Sequence, residues 1–171
     1  MGKLTLITGG ARSGKSSHAL SLAMTYPRKY FIATATAGDE EMAARIAHHR
    51  ANRPLGFQTI EEPVDVTAAI ARLAGAADAI ILDCVTLWIS NLMAENRGDA
   101  AILAESKRLA TVIFQAPFPS IVVTGEVGAG VVPDNAIARR FRDLLGWANQ
   151  TLSATADEVI LMVAGLPLKV K

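Results

Sequence analysis

Apolar runs of strand length alternate with helix-length amphipathic stretches along this chain. Leu4-Thr5-Leu6-Ile7-Thr8 is a short β-prone run, and residues 17–24 are helix-compatible. Residues 29–35 read as a second strand ending in small side chains. A helix follows over roughly 40–51, with Asp39, Glu40 and Glu41 placing acid at its positive end and Arg53-Pro54 stopping it. Residues 56–61 form a candidate third strand, and Pro63 opens a helix through about Leu73. Residues 77–83 make a buried strand that ends in an acid. Residues 85–94 and 100–115 are helical, with Asn96-Arg97-Gly98-Asp99 as the break between them. Residues 120–124 form another buried strand, Pro133-Asp134 start a long helix to about Ala154, and residues 158–164 form a further buried strand. Residues 168–171 make a short edge strand. Buried strands alternating with helices predict an α/β fold with a mostly parallel sheet and right-handed crossovers. Ligands in such folds collect at the carboxyl ends of the strands.

The first strand and helix flank Gly9-Gly10-Ala11-Arg12-Ser13-Gly14-Lys15-Ser16, a G-x-x-x-x-G-K-S pattern. Strand, glycine loop and helix form the context in which this pattern is a P-loop. Glycines let the backbone turn and approach a ligand, and the loop N–H groups converge on an anion at the helix N-terminus. Lys15 then reaches the β- and γ-phosphates, and the Ser16 hydroxyl faces Mg²⁺.

Two neighbouring histidines sit on the 40–51 helix. Met42, Ile46 and His49 share an apolar stripe, whereas Glu41, Arg45, His48 and Asn52 share a polar face. His49 therefore packs, and His48 meets either solvent or a ligand. Zinc is not expected, because no further His/Cys/carboxylate set has ligand spacing. Asp83 ends its strand either as an acid that holds Mg²⁺ or as the N-cap of the next helix. Glu126, in the glycine-rich loop after residues 120–124, is a second Mg²⁺ candidate, a group that orients a nucleophile, or a plain loop acid. Arg139, Arg140 and Arg142 read as a solvated or subunit-facing surface.

Composition narrows the field. A chain of 171 residues that is 51% hydrophobic fits one domain, 1–171, with a sizeable core. The net charge of +1 shows no basic stretch that asks for nucleic acid. One cysteine, Cys84, fits a reducing compartment. No run is long enough to span a bilayer, the strand run begins without a leader, and Leu6 breaks a myristoylation pattern, so a cytoplasmic enzyme is expected. A guanine-reading switch protein is not supported: no Asn is followed by Lys, and Asp143-Leu144-Leu145-Gly146 falls inside a predicted helix. A small-metabolite kinase using Lys15, Ser16 and an acid remains open.

More specific than the P-loop alone is its combination with six further stretches. They are Glu41-Met42-Ala43-Ala44-Arg45-Ile46-Ala47-His48-His49-Arg50, Arg53-Pro54, Glu126-Val127-Gly128, Val132-Pro133, Ala138-Arg139-Arg140-Phe141-Arg142-Asp143 and Asn149-Gln150. Over essentially its whole length the chain resembles the bifunctional adenosylcobinamide kinase and adenosylcobinamide-phosphate guanylyltransferase family (CobU/CobP). The resemblance implies a RecA-like sheet, an oligomer with a trimer expected, and two reactions. ATP or GTP phosphorylates the aminopropanol hydroxyl of adenosylcobinamide. GTP then guanylylates a histidine, His48 here with His49 the alternative, and GMP passes to the new phosphate. Carried over, residues Gly9 to Ser16 hold the triphosphate. Ala33, Thr34, Ala35, Ala51, Asn52, Arg53, Pro54, Glu61 or Glu62, and Asp83 line the nucleotide site, with Mg²⁺ near Ser16, Asp83 and Glu126. Two positions depart from the family pattern: Gly125 stands where Asn is expected, and Asp83 where a longer Glu is also familiar.

Overall fold

A computed structural model describes residues 2–51 and 53–171; at Arg45 and His49 only the backbone is described. The expectations for Asn52 and for the His49 side chain therefore lie outside the described residues. In chain order the elements are β1 (Leu4–Gly9), α1 (Lys15–Ala23), β2 (Lys29–Ala33), α2 (Glu40–Ala51), β3 (Phe57–Glu61), α3 (Val66–Arg72) and β4 (Ala79–Asp83). There follow α4 (Val85–Ala94), α5 (Asp99–Gln115), β5 (Ser120–Val123), α6 (Ala136–Thr155), β6 (Glu158–Val163) and β7 (Leu166–Lys169).

The seven strands form one sheet in the order β3-β2-β4-β5-β1-β6-β7. Every neighbouring pair is parallel except β6 and β7, which are antiparallel. Alternation along the strands sorts the core into two faces. Leu4, Leu6, Ile32, Ile80, Leu82 and Val122 point to the side packed by α3, α4, α5 and α6. Ile7, Phe31, Ile81, Ile121, Val123, Ile160 and Met162 point to the side covered by Ala19 and Ala23 of α1. No α2 residue of described burial is buried; Met42 and Ile46 are half-buried and the rest are exposed.

Several boundaries differ from the sequence expectation, and four of them have a clear local reason. Pro63 does not open α3: a Glu62 carboxylate oxygen accepts the N–H groups of Val64 (3.0 Å) and Asp65 (2.8 Å), which makes a turn ahead of a helix that starts at Val66. Nor does Pro133 open α6. Asn135 caps that helix by accepting from Ile137 N–H (2.8 Å) and Ala138 N–H (3.3 Å). The edge strand begins earlier, at Leu166, because Ala164 (φ 50°) and Gly165 (φ 86°) form a two-residue turn that closes β6 and β7 into a hairpin. The expected helix break also loses Asp99, which enters the first turn of α5, where its charge suits the helix dipole.

Trp88 is fully buried on α4, and its indole N–H donates to Val64 O (2.8 Å), which joins the turn before α3 to the core. Trp88→Phe should lower unfolding free energy by about 2–4 kcal/mol, combining a cavity with an orphaned buried carbonyl. Denaturant unfolding followed by circular dichroism measures this.

Candidate active site

The loop between β1 and α1 is formed as a phosphate cradle. Gly9 (φ 146°), Arg12 (φ 55°) and Gly14 (φ 96°) take positive φ values that turn the chain back on itself. The α1 N-cap, Gly14, supplies no side-chain cap, and no acid stands in the first turn, so the positive end of the helix faces the loop. A Cβ at Gly9 would lie 2.5 Å from Met162 O and 2.8 Å from Ser13 Oγ, whereas one at Gly10 meets nothing within 4 Å. Two neighbouring loops brace the cradle from outside. Glu126 N–H donates to Gly9 O (3.1 Å), and Gly165 N–H, at the tip of the β6–β7 hairpin, donates to Ser13 O (3.0 Å).

Lys15 lies across the loop, with its ammonium donating to Gly10 O at 2.5 Å and to Ser13 Oγ at 3.5 Å. Partial burial lowers its pKa below the ordinary lysine value, opposed by Cys84 and Asp83. Burial likewise lowers the pKa of Arg53, while Asp83 opposes that shift and Arg50 adds to it. The Asp83 carboxylate thus acts electrostatically on both Lys15 of the P-loop and Arg53 beyond α2. The Arg53 guanidinium stacks over the Phe31 ring at 3.8 Å and donates to Thr59 Oγ1. Arg50 pairs with Glu61, so the carboxyl end of α2 is tied to β3.

Asp83 is the last residue of β4, and the cap of α4 is Cys84, whose sulfur accepts from Leu87 N–H (3.5 Å). The capping alternative for Asp83 is therefore removed. Burial, reinforced by Asp83, pushes the Cys84 thiol up to about 11, so it is no nucleophile at neutral pH. Thr34 fixes this turn: its hydroxyl donates to Cys84 O (2.7 Å) and accepts from Cys84 N–H (2.8 Å), and its own N–H donates to Asp83 O (3.1 Å). Asn91 bonds Thr34 O (2.8 Å) and Pro63 O (3.0 Å). Of the expected strand-end segment, Ala33 and Ala35 are half-buried, while the Thr34 side chain is buried and committed to the backbone. Ala51 is exposed, Pro54 half-buried, and Glu62 is occupied by the turn it caps.

Glu126 is exposed beside the P-loop, and its carboxylate accepts Gly128 N–H (2.6 Å). At Gly125, the departure from the family pattern has a physical basis. A Cβ there would lie 2.9 Å from Thr86 Oγ1, the atom that accepts Gly125 N–H at 2.6 Å. Asn149 holds the same turn, donating to Gly125 O (3.0 Å) and accepting from the Thr124 hydroxyl (2.6 Å). His48 is exposed on α2; the groups that act on Lys15 and Arg53 are Asp83, Cys84 and Arg50. Of the arginines read as surface, Arg139 donates to Pro133 O (2.9 Å) and Asp134 O (2.6 Å), and Arg140 to Asp99 (2.7 Å). Thr86 and the hairpin tip carry no sequence signal, and the backbone-holding role of Thr34 carries none either, because each acts only through a strand neighbour.

Among the described residues no three His, Cys, Asp or Glu side chains cluster as a metal site. Ser16, Asp83 and Glu126 are oxygen donors, which suit a hard cation that arrives with phosphate oxygens rather than one caged by protein alone.

The family model for cobinamide kinase / cobinamide phosphate guanyltransferase (CobU) matches residues 5–170. The chain is 41% identical to the bifunctional adenosylcobalamin biosynthesis protein CobU of Salmonella typhimurium, over 98% of this chain and 99% of that protein. It is also 41% identical to the bifunctional adenosylcobalamin biosynthesis protein CobP of Pseudomonas aeruginosa, over 97% of this chain and 96% of that one. Among solved structures, the RadB recombinase superposes with a TM-score of 0.57 at 17% identity, covering 93% of this chain and 73% of that one. That likeness shows the RecA-like P-loop fold and nothing further.

The two glycines that open the loop should respond oppositely to a methyl group. Gly9→Ala should cost at least about 2 kcal/mol, because a main-chain carbonyl occupies the space, while Gly10→Ala should stay within about 0.5 kcal/mol. Melting curves recorded without nucleotide test the contrast; equal losses would sink it.

Proposed function

The chain belongs to the cobinamide kinase / cobinamide phosphate guanyltransferase family, and on that premise we propose that it phosphorylates adenosylcobinamide and then transfers GMP to the product. The observation that carries this reading is a formed P-loop whose lysine lies across the loop on Gly10 O, in a chain that the family model matches over residues 5–170.

In the first reaction the loop N–H groups and the α1 N-terminus bind the triphosphate of ATP or GTP. Lys15 swings its ammonium from Gly10 O to the phosphate oxygens, where negative charge concentrates in the transition state. The acceptor hydroxyl attacks the γ-phosphorus, its bond to the β-phosphate oxygen breaks, and Asp83 or Glu126 takes the hydroxyl proton. Mg²⁺, when bound with the nucleotide, neutralises phosphate charge, and Ser16, Asp83 and Glu126 are the residues that would hold it. The rate comes from positioning more than from covalent chemistry.

In the second reaction the His48 imidazole attacks the α-phosphorus of GTP and pyrophosphate leaves. A phosphate oxygen of adenosylcobinamide phosphate then attacks the same phosphorus, the P–N bond breaks, and adenosylcobinamide-GDP forms. A phosphoramidate divides one hard transfer into two easier ones. Exposure of His48 on α2 leaves its ring accessible to both partners. Ala33, Thr34, Ala35, residues 51–54, Glu61 or Glu62 and Asp83 form the nucleotide surroundings in this reading. The same reading makes residues 1–171 one domain, acting in the cytoplasm as a homo-oligomer, with a trimer expected. No helix among the described residues is long and apolar enough to cross a membrane.

Lys15→Ala should reduce kinase kcat/KM by roughly 10²–10³-fold or more, the scale of a lost charge-stabilising donor. Parent-level phosphorylation of adenosylcobinamide in that variant would reject the loop's role.

His48→Ala should separate the two reactions. Incubation with α-labelled GTP should leave no acid-labile, alkali-stable label on the variant, and GMP transfer should vanish. Kinase activity should remain within roughly tenfold of the parent, because the imidazole is needed only for the adduct. Label on His48→Ala but not on His49→Ala would move the nucleophile to His49. No label on the unmodified protein would favour the plain kinase.

A further inference from the structure

We propose that Thr86 and Asn149 are positioning residues for phosphoryl transfer, acting through Glu126; this rests on the functional reading above. Between them the two side chains hold one peptide group, at Gly125. That peptide sets where the chain carrying Glu126 leaves the phosphate cradle.

β5 ends at Val123, yet its bonding to β1 runs on. Thr124 N–H donates to Ile7 O (2.9 Å), and two residues later Glu126 N–H donates to Gly9 O (3.1 Å). That is the spacing of a parallel ladder, in which alternate residues bond one neighbouring strand and those between bond the other. Gly125, between the two rungs, therefore turns its N–H and C=O toward the β4 side. No strand residue meets them there. The last register partner on β4 is Asp83, opposite Val123, and the chain then turns into α4. Two side chains replace the missing rungs. Thr86, in the first turn of α4, accepts Gly125 N–H at 2.6 Å, and Asn149, on α6, donates to Gly125 O at 3.0 Å. The Asn149 amide has one workable orientation. Its Oδ1 accepts the hydroxyl of the fully buried Thr124 at 2.6 Å, and the Gly125 carbonyl needs a donor.

Glu126 is the first residue beyond this clamp. Its N–H makes the last rung, to Gly9 of the cradle, and its side chain is exposed. Its carboxylate is one that the functional reading gives to the acceptor hydroxyl or to Mg²⁺. A Gly125 peptide without partners would turn toward water, and the rung at Gly9 would loosen with it. The triphosphate has other holds in the same reading: the N–H groups that follow Gly9, and Lys15. No bond of the clamp reaches those, and the second brace of the cradle, Gly165 N–H to Ser13 O, stays in place. Loss of the clamp should therefore misplace the Glu126 carboxylate more than it weakens nucleotide binding.

The test uses the full chain with the near-isosteric changes Thr86→Val and Asn149→Asp. The first removes the acceptor of Gly125 N–H, and the second sets a carboxylate against Gly125 O. In each, kcat for phosphorylation of adenosylcobinamide should fall roughly ten- to a hundredfold, the scale of a small displacement at a reacting group. The Kd for nucleotide with Mg²⁺ should stay within about threefold of the parent. Thr86→Ser, which keeps the hydroxyl, should restore kcat. Glu126→Gln should lower kcat by itself, and adding either clamp change to it should lower kcat no further, because residues that act as one unit are not additive. Trp88→Phe, which destabilises α4 away from the clamp, should keep the parent kcat. Full additivity with Glu126→Gln overturns the proposal, as does a parent-level kcat in the clamp variants or in Glu126→Gln. So does an equal fall of kcat in Trp88→Phe, or a loss confined to nucleotide Kd; either would leave the clamp a merely structural tie. Should Thr86→Val fail to fold, Asn149→Asp and its pairing with Glu126→Gln decide alone. A parent that does not phosphorylate adenosylcobinamide overturns the functional reading and this proposal with it, whereas an active parent with unaltered variants overturns the positioning role alone.

Discussion

Between Gly9 and β6 there is no room for a β-carbon: one built at Gly9 would sit 2.5 Å from Met162 O. That close approach lets β1, at the point where the chain turns into the cradle, lie between β5 and β6 and be braced from both sides. The loop after β5 gives Glu126 N–H to Gly9 O, and the hairpin after β6 gives Gly165 N–H to Ser13 O. Backbone polar groups near a core need partners. Here the outward carbonyls of the cradle are satisfied by protein, so the loop can hold its N–H groups toward an anion without straining for partners of its own. Any side chain at Gly9 would push β6 away and loosen both braces.

The electrostatics depend on that frame. Asp83 ends β4, one strand removed from β1, and its carboxylate acts on both Lys15 and Arg53. Its backbone is held by Thr34, which in turn is held by Asn91 from α4. A carboxylate on a rigid strand end, behind buried hydrogen bonds, keeps its position when phosphate charge arrives, which is how preorganisation lowers a barrier. The cations differ in attachment. Lys15 belongs to the cradle, whereas Arg53 stacks on Phe31 from the segment just beyond α2.

Most of the scaffold was legible because burial patterning and the P-loop agree. The bounds of α2 and α4 match the periodicity, and the strands shift by only one or two residues. Failures occurred where one residue type has two uses. Proline suits the first turn of a helix, yet at Pro63 and Pro133 the side chains of Glu62 and Asn135 organise a separate turn or cap instead. Aspartate serves as cap or metal acid equally well, and spacing alone could not show that Cys84, a weak acceptor, would stand at the cap of α4 in place of Asp83. Arg53 read as a helix stop, because its partners Phe31 and Thr59 become neighbours only once β2 and β3 pair. Thr86 was invisible for the same reason, and with it the explanation of Gly125.

The proposed chemistry divides along a line visible in packing. The electrophile is held by the cradle, which is locked into the core at Gly9 and flanked by the buried β5 and the largely buried β6. The proposed nucleophile, His48, stands on a helix with no buried residue among those described, fastened near its carboxyl end by Arg50–Glu61 and by the Arg53–Thr59 bond just beyond it. Exposed polar links contribute little stability, about 0–1 kcal/mol each. A kinase step needs only the rigid part. A histidine that must meet the α-phosphorus of one molecule and then offer its phosphoramidate to a second is better carried on an element held by polar contacts and, among its described side chains, by no more than the half-buried Met42 and Ile46. The unequal anchoring of the two halves of the site is thus what a single fold needs if one phosphate cradle is to serve two consecutive transfers.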